Sequence, residues 1–168
     1  VEPSTLGRAR INQLTRSRDE TVKQRARTLL AKVLPPDRKS VLDRYRPALT
    51  MKGDLLKGKE VFRTNCASCH KIGGLGVEVG PDLINLATRR SKGFLIADIF
   101  DPNANIAAGF EEYMVETTDG QTLTGIIASD SATTVTLKRK EGAEDTVLRA
   151  NIANLRASAV SAMPEGLE

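Results

Sequence analysis

Cys66-Ala67-Ser68-Cys69-His70 is the stretch around which the rest of this chain has to be read. It has the form C-x-x-C-H, in which two thiols three positions apart can each add to a vinyl group of one haem, while the adjacent imidazole takes the iron. Scarcity sharpens the reading: the chain has two cysteines and one histidine, all in this pentapeptide. No thiol is left for a disulfide and no second imidazole for a bis-histidine site. A structural zinc site needs four ligands, and there is no further Cys or His to complete it. A thioredoxin-like pair follows a strand and opens a helix, whereas this motif follows a helical pattern and precedes a glycine-rich stretch. The spacing therefore predicts haem c, covalently attached, one per chain, with His70 on its iron.

At 168 residues the chain fits one ordinary domain, or a small domain plus an extension, and can bury a core without disulfides. No apolar run approaches the roughly 18–20 residues that span a bilayer, so no transmembrane segment is expected, and no signal-peptide pattern is present. The first residue is Val1 rather than Met. The expectation is a processed product or a piece of a longer protein whose targeting sequence is missing. Covalent haem attachment takes place outside the bacterial inner membrane, which predicts a periplasmic or other extracytoplasmic location.

The net charge of +4 conceals an asymmetry. Residues 1–63 carry 16 Lys and Arg against 7 Asp and Glu, net +9, and residues 64–168 carry 9 against 14, net −5. Aromatic side chains do not interleave the basic stretch and no nucleic-acid-binding motif occurs, which argues against DNA or RNA. A solvated basic helical surface, or docking to an acidic protein, accounts for the charge.

Helical patterns fill the first third. Ser17-Arg18-Asp19-Glu20 has capping-box form and opens a segment with Val22, Ala26, Leu29, Leu30 and Val33 on one face, closed by Pro35-Pro36. A shorter helix is expected from Pro36 to Arg46, with Val41, Leu42 and Tyr45 inward and Pro47 as its stop, and an earlier one over Thr5–Leu14. Successive short amphipathic helices suggest a helical-hairpin appendage or the end of an α-solenoid. Asp54 can cap a helix from Leu55 to Asn65 that delivers the chain to Cys66, with Gly58 and Phe62 on one face. Ser91 can cap another, from Lys92 to Asp101, with Phe94, Leu95, Ile99 and Phe100 apolar and Pro102 ending it.

From Gly109 the period changes from about 3.6 to 2. Strands are expected over Glu112–Thr117, Gln121–Ala128, Thr133–Lys140 and Asp145–Arg149, with Asp119-Gly120 and Glu141-Gly142-Ala143 as turns. The predicted fold is mainly α with an inserted antiparallel β-meander, α+β overall. Residues 1–50 form a helical extension and 51–168 the haem domain, with the meander at about 110–154.

The run Gly58, Phe62, Cys66-x-x-Cys69-His70, then Gly80-Pro81-Asp82-Leu83 and Met163-Pro164, resembles class I cytochrome c. The order of Asp101-Pro102, the hairpin Asp119–Gly125 and the terminal Ser161–Leu167 is similar to the haem-binding domain family of the Pirellula/Verrucomicrobium type. The resemblance covers residues 53–168. It implies that the Pro81 carbonyl accepts a hydrogen bond from the proximal His70 and that Met163 supplies a distal thioether. It also implies that Arg89 and Arg90 can pair with propionates. Met51, Met114 and an open site compete with Met163 for the distal position, and Met114 in a strand reads as an apolar filler. Such cytochromes close with a C-terminal helix across the first one. Here the expectation is that the sequence stops early or that the amino-terminal helices take over that packing.

The resemblance implies an electron-transfer protein rather than an enzyme. Its partners would be redox proteins, with a dehydrogenase domain as donor and another cytochrome as acceptor. The alternative from another class is a haem enzyme or gas sensor with an open distal site, and the lack of a second histidine to serve as distal base weighs against it.

Overall fold

The computed structural model describes Leu6, residues 8–32, Leu34 and residues 37–168. Thr5, Val33, Pro35 and Pro36, which carried helix boundaries in the sequence, lie outside them. Helix α1 (Arg8–Thr15) pairs with α2 (Glu20–Leu30) over a small core of Ile11, Ala26 and Leu30. The α2 cap is Asp19, whose carboxylate accepts from the Thr21 and Val22 amides, while Ser17 accepts from Asp19 itself. An ionised carboxylate at the cap outcompetes a hydroxyl two residues earlier. On α2 only Ala26 and Leu30 are buried, and Leu29 is 65% exposed, so the buried stripe is narrower than the sequence pattern.

Helix α3 (Lys39–Tyr45) begins at Arg38 and runs into a 3-10 turn, Arg46–Leu49, that contains Pro47. Pro47 therefore sits inside a turn rather than ending the helix, because its missing N–H is not needed at the first positions. Tyr45 meets Phe100 edge-on, ring centroids 4.9 Å apart. Helix α4 (Leu55–Asn65) starts where the sequence places it: Asp54 accepts from the Leu56 and Lys57 amides, a cap of about 1 kcal/mol. A two-residue hairpin follows the C-x-x-C-H motif, β1 (Lys71–Ile72) against β2 (Leu75–Gly76). Then come the short α5 (Leu86–Arg89) and α6 (Lys92–Phe100), the latter capped by Ser91.

The alternating region folds as a five-stranded antiparallel sheet: β3 (Glu112–Thr117), β4 (Thr122–Asp130), β5 (Thr134–Lys138), β6 (Glu144–Leu148) and β7 (Ile152–Ala157), in spatial order β6-β5-β4-β3-β7. Val115, Val135, Leu137 and Val147 point to one side and form its core, joined by Tyr113, Leu123, Ile127, Ile152 and Leu155. The fold is thus α+β, with helices and an antiparallel sheet. The four expected strands are present and a fifth extends the sheet to Ala157, pairing back on β3 from Tyr113↔Ala157 to Thr117↔Ile152. Its sequence, Ile-Ala-Asn-Leu-Arg-Ala, alternates weakly, so only the free edge of β3 reveals it.

Candidate haem site

The site begins at the carboxyl end of α4. The Cys66 and Ala67 amides donate to the Phe62 carbonyl (2.8 and 3.0 Å), so the helix closes as the motif starts. The chain then makes one more tight turn, with the Cys69 and His70 amides both donating to the Cys66 carbonyl (3.0 and 2.8 Å). Cys66 and Cys69 are therefore three residues apart on a single turn, half-buried and unbridged. Burial raises the Cys66 thiol above its ordinary pKa and the neighbouring Cys69 adds to the effect, so Cys66 is a neutral thiol at pH 7.

The next residues fold back over this turn. Val77 N–H donates to Ala67 O (3.1 Å), and Val79 and Gly80 N–H both donate to Cys69 O (3.0 and 2.7 Å). From the sheet, Glu141 N–H donates to Ser68 O (2.7 Å) and Lys138 Nζ to Glu78 O (3.3 Å). Each backbone carbonyl from Cys66 to Cys69 is thus engaged, and the loop presents its side chains on a fixed frame.

His70 Nδ1 lies 2.9 Å from the Pro81 carbonyl oxygen. A carbonyl only accepts, so Nδ1 carries the hydrogen, and in the neutral ring Nε2 then keeps the lone pair that a metal-binding imidazole needs. Gly80 lies flat against the same ring: a Cβ there would stand 2.7 Å from His70 Cε1. Gly76 has φ +87°, and a Cβ on it would meet the His70 carbonyl oxygen. Two thiols on one turn beside an imidazole held through Nδ1 by a backbone carbonyl fit covalent haem c. Among the described residues no group of three or more His, Cys, Asp or Glu could hold a metal ion by itself.

The other sequence candidates lie apart from this loop in sequence. Met163 is half-buried in the segment after β7, its N–H donating to Ser161 Oγ (3.1 Å). Met114 lies in β3 and its sulfur is contacted by Arg156 Nη2 at 3.0 Å, while Met51 is 69% exposed. Phe62 is half-buried. Arg89 is exposed, and the Arg90 guanidinium lies 5.5 Å from the centre of the Phe94 ring. Sequence reading missed the Glu141 contact to Ser68, for which the only signal was a turn of type Glu-Gly after a strand. It also missed Arg38 and Asn103, described below, for which no local signal exists.

The family model for cytochrome c matches residues 55–136. The chain is 33% identical over 76 residues to a cytochrome c-553-like protein of Synechocystis sp., an overlap of 39% of this chain and 71% of that protein. It belongs to the cytochrome c family. It is also 41% identical over 63 residues to the cytochrome c of Stellaria longipes, spanning 35% of this chain and 54% of that one. Among solved structures, the translational regulator Hfq superposes on 34% of this cytochrome, and on 85% of its own chain, with a TM-score of 0.28 and 19% identity, too distant to carry an argument. Membership brings haem c, covalently held, with its iron, and makes the chain a c-type cytochrome, an electron carrier. Among the described residues no helix is long and apolar enough to cross a membrane.

Proposed function

We infer that this chain is a monohaem cytochrome whose haem is held by thioethers to Cys66 and Cys69 and whose iron is bound by His70 Nε2 and Met163 Sδ. The observation that carries the reading is the His70 Nδ1–Pro81 O bond, because it fixes the one imidazole of the chain in the ligating tautomer directly beside two half-buried thiols. Of the three methionines, Met51 is mostly in solvent, and Met114, half-buried like Met163, has its sulfur against Arg156, which favours Met163 as the ligand. A nitrogen and a thioether would give iron a ligand set that favours the ferrous state relative to bis-histidine ligation. The haem supplies a one-electron couple; the protein supplies the ligands and the surface for docking.

The function is single-electron transfer between redox proteins rather than catalysis. The resemblance to the Pirellula/Verrucomicrobium-type haem-binding domains supports a dehydrogenase domain as donor and another cytochrome as acceptor. The location is periplasmic or otherwise extracytoplasmic. Residues 1–50 are a helical extension to a haem domain over 51–168, with the sheet as an insertion beginning at about 110.

Intact mass of the purified protein is expected to exceed the polypeptide by one haem, and the ferric protein to show a sulfur-to-iron charge-transfer band in the far red that Met163→Ala abolishes. A mass equal to the polypeptide alone defeats the attachment. A Met163→Ala spectrum identical to that of the parent defeats the distal assignment.

A further inference from the structure

The segment that carries Met163, residues 158–168, has no helix or strand of its own. Beyond the Ser158 N–H bond to the Glu112 carbonyl, its order comes largely from side chains elsewhere. Arg38, at the amino-terminal cap of α3, is largely enclosed, with 13% of its side chain exposed. Its Nε donates to the Phe100 carbonyl at the end of α6 (2.8 Å), one of the acceptors a helix terminus leaves open. Its Nη2 donates to both carboxylate oxygens of Glu168 (2.6 Å each), and Nη1 faces Glu165 Oε2 at 3.7 Å. Glu165 in turn accepts from Asn103 Nδ2. Asn103, 4% exposed, accepts the Ser161 N–H on its Oδ1 (2.7 Å), and Ser161 Oγ accepts the Met163 N–H. Glu165 and Ser161, two residues to either side of Met163, are therefore both fixed by one buried amide, and that amide shares Glu165 with Arg38. Ala159 packs on the Ile11, Ala26 and Leu30 core, so the same segment is anchored on α1 and α2 as well.

We propose that Arg38, acting with Asn103, is a positioning residue for Met163: the amino-terminal helices supply the clamp that holds the distal loop. This rests on the reading of Met163 as the axial ligand. Neither Arg38 nor Asn103 touches iron in this scheme; they restrict where the thioether can go. A guanidinium suits the task because its fan of donors satisfies a helix-end carbonyl and two carboxylates at once, which an ammonium group does not. The charge of the amino-terminal part then has a structural use, since one of its arginines pairs with two carboxylates of the acidic part.

Hydrogen exchange on the haem-loaded full chain tests the clamp without reference to iron. Arg38→Ala is expected to speed deuterium uptake in residues 158–168 about tenfold or more while leaving residues 66–81 unchanged. The far-red sulfur-to-iron band weakens in the same variant, and carbon monoxide binds the ferrous protein faster by a similar factor. Arg38→Lys falls between Arg38→Ala and the parent. Should Arg38→Ala destabilise the whole chain, Glu168→Gln, which removes one charge from the outer end of the clamp, reads the same direction at smaller size. Parental uptake and band in both Arg38→Ala and Glu168→Gln overturn the proposal. A parent with no far-red band, in which Arg38→Ala still speeds exchange of 158–168, upholds the clamp and overturns the ligation reading. A band present in the parent and unmoved in Arg38→Ala does the reverse.

Discussion

The loop around His70 and the loop around Met163 are held in opposite ways. Residues 66–83 are fixed mostly by their own backbone: Cys66, Ala67, Cys69 and Lys71 carbonyls all accept from amides within the same eighteen residues, and Glu141 and Lys138 add contacts from the sheet. Residues 158–168 are fixed by side chains that arrive from Arg38 and Asn103, 130 and 58 residues away in sequence. Backbone bonds within a short loop form with little loop-closure entropy, whereas a clamp across 130 residues exists only once the fold is complete. The proximal frame is therefore a local property and the distal one a global property, and substitutions should separate the two.

The largest effect is expected at Gly76. An alanine there must hold φ near +87° and place its Cβ 2.1 Å from the His70 carbonyl oxygen, which is backbone and cannot step aside. Gly76→Ala should cost roughly 3–5 kcal/mol in thermal or denaturant unfolding. Haem incorporation, followed by Soret absorbance per polypeptide, should fall with it. Exchange in residues 158–168 should change less than exchange in 66–83; equal loosening of both loops would show that the proximal frame is not local.

Gly80→Ala follows. Its Cβ would lie 2.7, 3.0 and 3.2 Å from three atoms of the His70 ring, so the ring must tilt and its bond to Pro81 O must lengthen. An overpacking cost of about 1–3 kcal/mol is expected. An imidazole that loses its carbonyl acceptor is less basic and stabilises ferric iron less, so the reduction potential should rise. A variant with unchanged potential would mean that the Pro81 bond does not tune the ligand.

How much of this was legible in the sequence follows the same division. Asp54, Ser91 and the alternation from Glu112 to Thr117 are local signals, and each corresponds to an element of the structure. Cap chemistry and period act over a few residues, where one sequence suffices. Leu29 fits an apolar helical stripe yet is solvent-exposed, because burial depends on what packs opposite. Strand β7 has two alanines and an arginine and takes its conformation from the open edge of β3. Arg38 looks like any other basic residue in a basic stretch, and only the tertiary arrangement reveals that Phe100, Glu165 and Glu168 converge on it.

Glu141 supports the proximal loop from the sheet through its backbone amide, and it is also the described non-glycine residue with positive φ, +64°. Its amide reaches Ser68 O because the β5–β6 turn adopts that conformation. Glu141→Gly keeps the N–H and removes the left-handed cost, set against a more disordered unfolded state, so a net stabilisation of up to about 1 kcal/mol is expected. Denaturant midpoint measures it. A loss of stability would mean that the Glu141 side chain contributes contacts of its own.

The smallest effect concerns Glu112, where the sheet meets the distal segment. Its carbonyl accepts the Ser158 N–H (2.7 Å) just as the chain leaves β7. Burial raises its carboxyl above the usual carboxylate range, and a hydrogen bond with the Ser158 side chain offsets this only in part. A group whose pKa is higher in the folded than in the unfolded chain stabilises the fold while protonated. That contribution is complete below the ordinary glutamate value and is lost as pH rises through the raised one. At neutral pH the ionised, half-buried carboxylate therefore works against the junction. Glu112→Gln should remove this acid-side gain, flatten the stability profile across that window and slow exchange in residues 158–168 slightly at pH 7, leaving 66–83 untouched. If the Gln variant keeps the parental pH profile, the junction owes its stability to the backbone bond alone, and the distal loop depends on Arg38 and Asn103 more completely than the proximal loop depends on any side chain.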